Sequence, residues 1–385
     1  MSDSTDLLVI GAGPFGLALA RWAARMGLAC RVVGTPMAFW RTRMPAGMRL
    51  RSGRGWHLDP WDELTLDRFL DEARPPAAAA DPISRDTYLA YAAWFEQRAG
   101  LHIEHDEVAR LDGSDNAGGR FVATLSSGRR VRARAVVVAT GFDAFAHAPR
   151  DLTSRLPDGV WSHTRDYVDF GDASGRRFLV IGGRQSAFEW AALIREAGAA
   201  HVHVAFRHDT PAFAPSDWSW VSGMVDRLVT EPGWFGRATV EEQAAIRGRF
   251  WAEGRLKLEP WLAPRIHRDG IAVLPRTQLQ GCERTASGSL VAVLDDAGPV
   301  TIDRVVLATG YAVDVARVEF IGRGNLGSRM ATANGYPVLD AYCESTVPGL
   351  FWTSIAATQS HGPFFAFTVS ARASAHLIGG AVSRA

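Results

Sequence analysis

Lysine is almost missing from this chain of 385 residues: Lys257 is the only one among 42 basic side chains. Any clamp on a phosphate must therefore be built from arginine. Cysteine is scarce too, with three residues. Cys30, Cys282 and Cys343 lie far apart with no C-x-x-C, which argues against a redox-active disulfide and against a zinc knuckle, and no metal site is expected. No apolar run reaches the length that spans a bilayer, and the polar opening runs straight into an apolar segment instead of a secretory signal. The expectation is a cytoplasmic protein without stable membrane insertion. Charge of one sign is also lacking. With 42 basic and 41 acidic residues the net charge is +1, so there is no electrostatic footprint for nucleic acid. Oligomeric state is not legible, and a homo-oligomer stays open.

What is present is glycine in pattern. Leu7–Ile10 is an apolar run long enough for a buried parallel strand, and Gly11, Gly13 and Gly16 follow it at the G-x-G-x-x-G spacing, with Pro14 and Phe15 between them. From Phe15 to Met26 the apolar residues recur at helical intervals, Gly27 is placed to cap the end, and Ala29–Val33 supplies the next strand. Strand, turn, helix and strand together point to dinucleotide binding. Gly11 permits the tight turn, Gly13 lets the backbone approach a pyrophosphate, and Gly16 lets helix and sheet pack closely.

The plan then repeats. A two-stranded pattern at Arg120–Leu125 and Arg130–Ala133 leads to Ala135–Gly141, whose Thr140 and Gly141 join the candidate cofactor residues. Arg177–Ile181 opens a second unit. Gly182, Gly183, Arg184, Gln185 and Ser186 form its turn, a helix runs to Ala197, and His201–Phe206 is the next strand. Ser289–Leu294 and Val300–Ile302 form a second hairpin, ending in Arg304–Gly310 with Thr309 and Gly310. Two half-similar units imply two dinucleotide sites in an α/β fold of two Rossmann-like domains, the second inserted in the first. The expected division is 1–170 and 310–385 for the first domain and 171–309 for the second. Arg207, at the end of the second strand of the second unit, stands where an NAD enzyme puts an acid, so a 2′-phosphate suits it better than a free hydroxyl.

Two irregular stretches interrupt the pattern. Arg43–Pro82 is loop-rich and carries Met48, Arg51, Ser52 and His57, and Ser84–Gly100 follows as an N-capped helix. Residues 210–269 form a helical insert rich in tryptophan: Trp218, Trp220, Trp234, Trp251 and Trp261. These rings either line a chamber for a flat or apolar substrate or form the insert's own core.

In order, the Gly11–Gly16 turn, the ATG run at Ala139–Gly141, the glycine turn near Gly182 and the ATGY of Ala308–Tyr311 resemble the class B flavoprotein monooxygenases, the group of the flavin-containing, N-hydroxylating and Baeyer–Villiger enzymes. Gly159, His163 and Tyr167 fall at the spacing of that group's fingerprint, with Pro157 in place of the leading aromatic and Tyr167 in place of the tryptophan common in Baeyer–Villiger enzymes. The resemblance implies FAD at the first turn and NADPH at the second. It also implies transfer of one oxygen atom from O2, through a flavin C4a-hydroperoxide, to an amine nitrogen or sulfur of a small molecule. It further suggests that His361, Gly362, Pro363 and Phe364 open a helix, running to about Leu377, that faces the flavin.

Three departures accompany it. The ribose-binding acid is replaced by Gly34, leaving backbone or Arg41 for the ribose. Arg184 stands where a glycine usually admits the pyrophosphate, so it either binds that group or obstructs it. No asparagine occurs between Arg41 and Leu111, so Ser52, His57 or His361 would fill the place of the active-site donor. An FAD-dependent NAD(P)H dehydrogenase or oxidase without productive oxygen transfer, and a non-catalytic flavoprotein sensor or partner, stay open as alternatives.

Overall fold

Strands buried on both faces need helices on either side, and the computed structural model, which describes residues 4–114, 120–286 and 288–384, arranges them as two such sheets. In the first, Ile103–Glu104, Cys30–Val33, Ser4–Ile10, Arg130–Val138 and Leu350–Trp352 run parallel in that order. The long strand Arg130–Val138 is shared between two ladders. Its first half pairs antiparallel with Phe121–Leu125, which pairs in turn with Val108–Gly113, and Val136–Val138 take Leu350–Trp352. The sheet is thus completed by a strand that returns after the whole second unit, as an inserted domain requires.

The second sheet orders Ile271–Pro275, His201–Phe206, Arg177–Ile181, Arg304–Leu307 and Trp161–His163, all parallel. An antiparallel meander of Leu279–Arg284, Leu290–Leu294 and Gly298–Ile302 accompanies it. Both expected hairpins therefore lie in meanders, one per unit. Trp161–His163, which precedes residue 170, pairs with Arg304–Leu307, so the chain enters the second sheet before its glycine turn.

The helix Arg85–Arg98 begins as its sequence predicts, with the Ser84 hydroxyl accepting the Thr87 N–H at 3.0 Å. The C-terminal helix does not. Pro363–Ala366 and Thr368–Ser370 are two short 3-10 turns separated by Phe367 in an extended conformation, and the helix runs from Ala371 to Arg384. Phe364 and Phe365 are buried completely, and seating both rings in the core breaks the regular helix that residues 364–370 were expected to form. The helix Ala371–Arg384 lies against Pro14–Arg25, where a Cβ on Gly379 would come within 2.2 Å of the Trp22 ring.

The helical insert packs across the division between the units. Val221, Val225, Leu228, Trp234, Phe235 and Phe250 belong to the same apolar core as the helices Pro14–Arg25 and Ala371–Arg384, on the first unit. An insertion in the second unit thereby roofs the first, and the space beneath it becomes the site.

Candidate functional site

A single cleft of about 1640 Å³ runs between the units and touches both glycine turns. At the first turn, Gly11 has φ +111°, and a Cβ there would lie 2.5 Å from the Ala139 carbonyl oxygen. Gly16 packs closer still, its Cβ position falling 2.0 Å from the Gly11 oxygen. Gly13 is the opposite case. Nothing lies within 4 Å of its Cβ position, it faces the cleft, and the helix it opens has Pro14 in its first turn and no side-chain cap. That combination leaves room and unfilled N–H dipoles for an anion. Phe15, Thr140 and Gly141 line the same part of the cleft, as does Gly34.

The acid missing after the second strand has a neighbour on the third. Gly34 donates its N–H to the Glu104 oxygen at 3.0 Å, and the chain then brings Asp106 and Glu107 to the cleft wall. Asp106 is engaged by the Ser127 hydroxyl and the Glu107 N–H. Glu107 is thus a cleft-lining carboxylate at the edge where Gly34 lies. The signal was present as an E-H-D-E run that starts on the last residue of the short strand Ile103–Glu104, but only the pairing of Val33 with Glu104 places it at the edge of the first turn.

At the second turn, Gly182 has φ +142° with its Cβ position 2.5 Å from the Ala308 oxygen, and Gly183 is pressed against the Phe206 ring. Gly182, Gly183, Arg184, Gln185, Ser186, Thr309 and Gly310 all line the cleft. Arg184 opens the helix Gln185–Glu196, again without a side-chain cap. Its guanidinium turns to the insert, donating to the Arg255 oxygen at 2.7 Å and lying 5.2 Å from the centre of the Trp251 ring. Burial and the charge of Arg207 hold it below the usual guanidinium range. Arg184, Arg207 and Arg255 line the cleft together, and among the described residues none of the three has a carboxylate partner. Arg255 was not singled out from sequence, because only the fold of the insert brings it here.

Between the turns, the loop that carries Met48 and Ser52 forms a wall, and both residues line the cleft. Two contacts fix this loop to the second unit. The Arg49 N–H donates to Glu189 at 2.8 Å, and Arg51 makes an ion pair with Glu259 at 2.8 Å. Glu189 is fully buried, and burial pushes its carboxyl up to about 8 against the opposing pull of the Arg49 N–H, Arg265 and Arg51. The fingerprint histidine is also a tie. His163 Nδ1 accepts the Arg165 N–H, so Nε2 carries the proton and donates to the Gly310 oxygen at 3.1 Å.

Several expected site residues lie elsewhere. Arg41 is exposed and bonds the Pro36 oxygen, away from the cleft, whereas Arg43 lines it and pairs with Asp143 at 3.2 Å. His57 is buried off the cleft, with Nε2 3.1 Å from Asp62, which Arg372 also holds. His361 is 1% exposed, has no hydrogen-bond partner for either ring nitrogen among the described residues, packs on Phe365, and is pushed down to about 4 by burial. Gly362, Pro363 and Phe364 pack under the insert, where a Cβ on Gly362 would meet Phe364 and Phe235. The residues that reach the cleft from this segment are Ala366, Phe367 and Thr368. Of the proposed donors only Ser52 is at the site.

The family model described as pyridine nucleotide-disulphide oxidoreductase matches residues 8–249. Among curated proteins, the FAD-dependent urate hydroxylase of Xanthomonas campestris pv. campestris is 27% identical over 210 residues, 51% of this chain and 44% of that protein. A ferredoxin–NADP reductase of Burkholderia vietnamiensis is 30% identical over 217 residues, 56% and 54%. The chain spans about half the length of these curated relatives. Among solved structures, the ornithine N-hydroxylase of Kutzneria sp. 744 superposes over 99% of both chains with a TM-score of 0.79 at 16% identity, a likeness of fold. The two glycine turns, facing one cleft in a fold shared with that N-hydroxylase, are those of a chain that belongs to the pyridine nucleotide-disulphide oxidoreductase family.

Proposed function

We propose that the protein is an FAD-dependent, NADPH-consuming monooxygenase acting on a nucleophilic nitrogen or sulfur of a small molecule. The observation that carries this reading is the single cleft, which reaches both glycine turns and so lets two dinucleotides meet inside it. The residues fit the groups. The open space at Gly13 and the uncapped helix behind it suit the FAD pyrophosphate, with Thr140 and Gly141 beside it and Glu107 for the ribose hydroxyls. Ser186 and the N-terminus of the helix Gln185–Glu196 suit the NADPH pyrophosphate, and Arg207 with Arg255 suits the 2′-phosphate. When bound, FAD reduced by NADPH supplies the oxygen chemistry, in which substrate, O2, NADPH and a proton give oxygenated substrate, NADP⁺ and water.

The chain's own residues position and enclose. The ties Arg49–Glu189 and Arg51–Glu259 hold the Met48–Ser52 wall against the second unit, and His163 fixes the Gly310 turn. Apolar walls from this loop and the insert keep water from the reacting centre, where it would divert oxygen to hydrogen peroxide. The three free cysteines do not line the cleft, so the disulfide chemistry in the family's name has no cysteine pair here. Anaerobic titration of the purified yellow protein tests the reading: NADPH bleaches the flavin faster than NADH does. Failure of both nucleotides to bleach it overturns the assignment. The likeness to ferredoxin–NADP reductases favours a second reading, a reductase that passes electrons on without oxygen transfer. It predicts rapid bleaching with every amine and sulfide left unoxidised in air.

A further inference from the structure

Three aromatic rings from three distant parts of the chain converge in the cleft. Trp56 comes from the loop of the first unit, Trp218 from the insert and Phe367 from the C-terminal segment, and all three line the cavity. Trp56 and Trp218 have ring centres 5.8 Å apart, Trp56 and Phe367 6.0 Å, and Trp218 and Phe367 6.1 Å, with interplanar angles between 41° and 72°. Phe250 backs two of them from outside the cleft, 5.2 Å from Trp218 and 5.0 Å from Phe367, so what is offered to a further aromatic ring is the tilted surface that the three turn to the cleft. Leu50 lines the cleft from the same loop, and the Trp218 ring leans on the backbone of Gly254.

The electrostatics of this box discriminate between guests. Aromatic boxes also hold ammonium groups, but here the cation is already supplied. The Arg51 guanidinium lies 5.9 Å from the centre of the Trp218 ring, and Arg255 reaches the cleft just after Gly254. Nor is there an anion to receive another. The cleft carboxylates are Asp106, Glu107, Asp143, Asp151, Glu189 and Glu319, and none belongs to a segment that builds the box. The insert's own acids nearby are committed, Glu259 to Arg51 at 2.8 Å, Glu253 to Lys257 at 2.7 Å and Asp217 to Arg249 at 3.1 Å. A primary ammonium entering the box would lose its hydration without a free counter-charge, beside an Arg51 already neutralised by Glu259 and an Arg255 that has no carboxylate partner among the described residues.

We infer that Trp56, Trp218 and Phe367 form the substrate subsite and that it takes the ring of an uncharged aryl sulfide or aryl amine rather than the ammonium chain of an amino acid such as ornithine. This rests on the monooxygenase reading for the fate of the bound molecule but not for its binding. The remaining tryptophans of the insert divide accordingly. Trp251 lines the cleft under Arg184, whereas Trp220, Trp234 and Trp261 do not line it and pack within the fold.

The test is calorimetric titration of the FAD-loaded full chain with methyl phenyl sulfide and, separately, with L-ornithine, without NADPH. The sulfide binds at least tenfold more tightly. Trp218→Ala weakens it by about tenfold, Trp218→Phe by less, and Trp220→Phe, outside the cleft, leaves it unchanged, with flavin content confirming that each variant is folded. Ornithine binding as tightly as the sulfide, or a folded Trp218→Ala protein that binds the sulfide as before, overturns the inference. Failure of NADPH to bleach the flavin in the same preparation sinks the monooxygenase reading instead and leaves the binding result standing.

Discussion

Replacing Glu189 with glutamine isolates one buried charge that ties the two units together. The carboxyl is completely buried and accepts the Arg49 N–H at 2.8 Å, and burial raises it from 4.5 to about 8. The unfolded chain loses this proton near 4.5, whereas the folded chain keeps it until about 8. Across that window the folded state binds more protons, so stability falls as pH rises and levels off above about 8. At about 1.4 kcal/mol per pKa unit, the loss from this one group is on the order of 5 kcal/mol. Glutamine keeps an oxygen for the Arg49 N–H and has no proton to lose. The variant therefore holds its midpoint between pH 5 and 9 where the parent's drops, and at pH 9 it melts higher by roughly 5–10 °C. Thermal unfolding followed by near-ultraviolet circular dichroism over that range reads the difference. Parallel profiles for the two proteins refute the reasoning, because they would mean that the carboxylate is stabilised in place by solvent or by Arg51 and Arg265.

Gly11→Ala drives a Cβ to within 2.5 Å of the Ala139 oxygen at a positive φ, so it costs roughly 2–4 kcal/mol and empties the first turn of flavin, read as absorbance per protein after purification. Arg207→Ala removes a charge-assisted contact worth about 1.5–3 kcal/mol, so KM for NADPH rises about tenfold or more while KM for NADH holds, and an equal rise for both would place the 2′-phosphate elsewhere. His361→Leu leaves turnover at pH 7 intact, because the ring lies outside the cleft. Its pKa of about 4 against 6.5 means that the unfolded chain alone takes a proton between those values, so the parent loses stability as pH falls through that window and the variant does not.

Both glycine turns were legible because their requirements are local: a positive φ at Gly11 and Gly182, and close backbone approach at Gly16 and Gly183, leave no other residue type. The inserted order of the domains followed from the repeat of those turns and of the ATG runs. The side chains that converge from afar were not legible. Glu107 reaches the first turn only through the pairing of the second and third strands, and Arg255 only through the fold of the insert. Arg41 and Arg43 stand two residues apart, yet one faces solvent and the other Asp143, a difference set by the turn of one short helix. The C-terminal segment misled for a physical reason. Proline after glycine is a good helix start, but Phe364 and Phe365 are worth more buried in the core than in a regular helix. Their seats shift the helix start to Ala371 and bury His361 out of reach.

The central claim is oxygen transfer driven by NADPH, and it is tested most directly by turnover of methyl phenyl sulfide under ¹⁸O₂ with NADPH limiting. The account predicts one labelled oxygen atom in the sulfoxide and one NADPH consumed for each molecule formed. Unlabelled sulfide with every reducing equivalent recovered as hydrogen peroxide would contradict it.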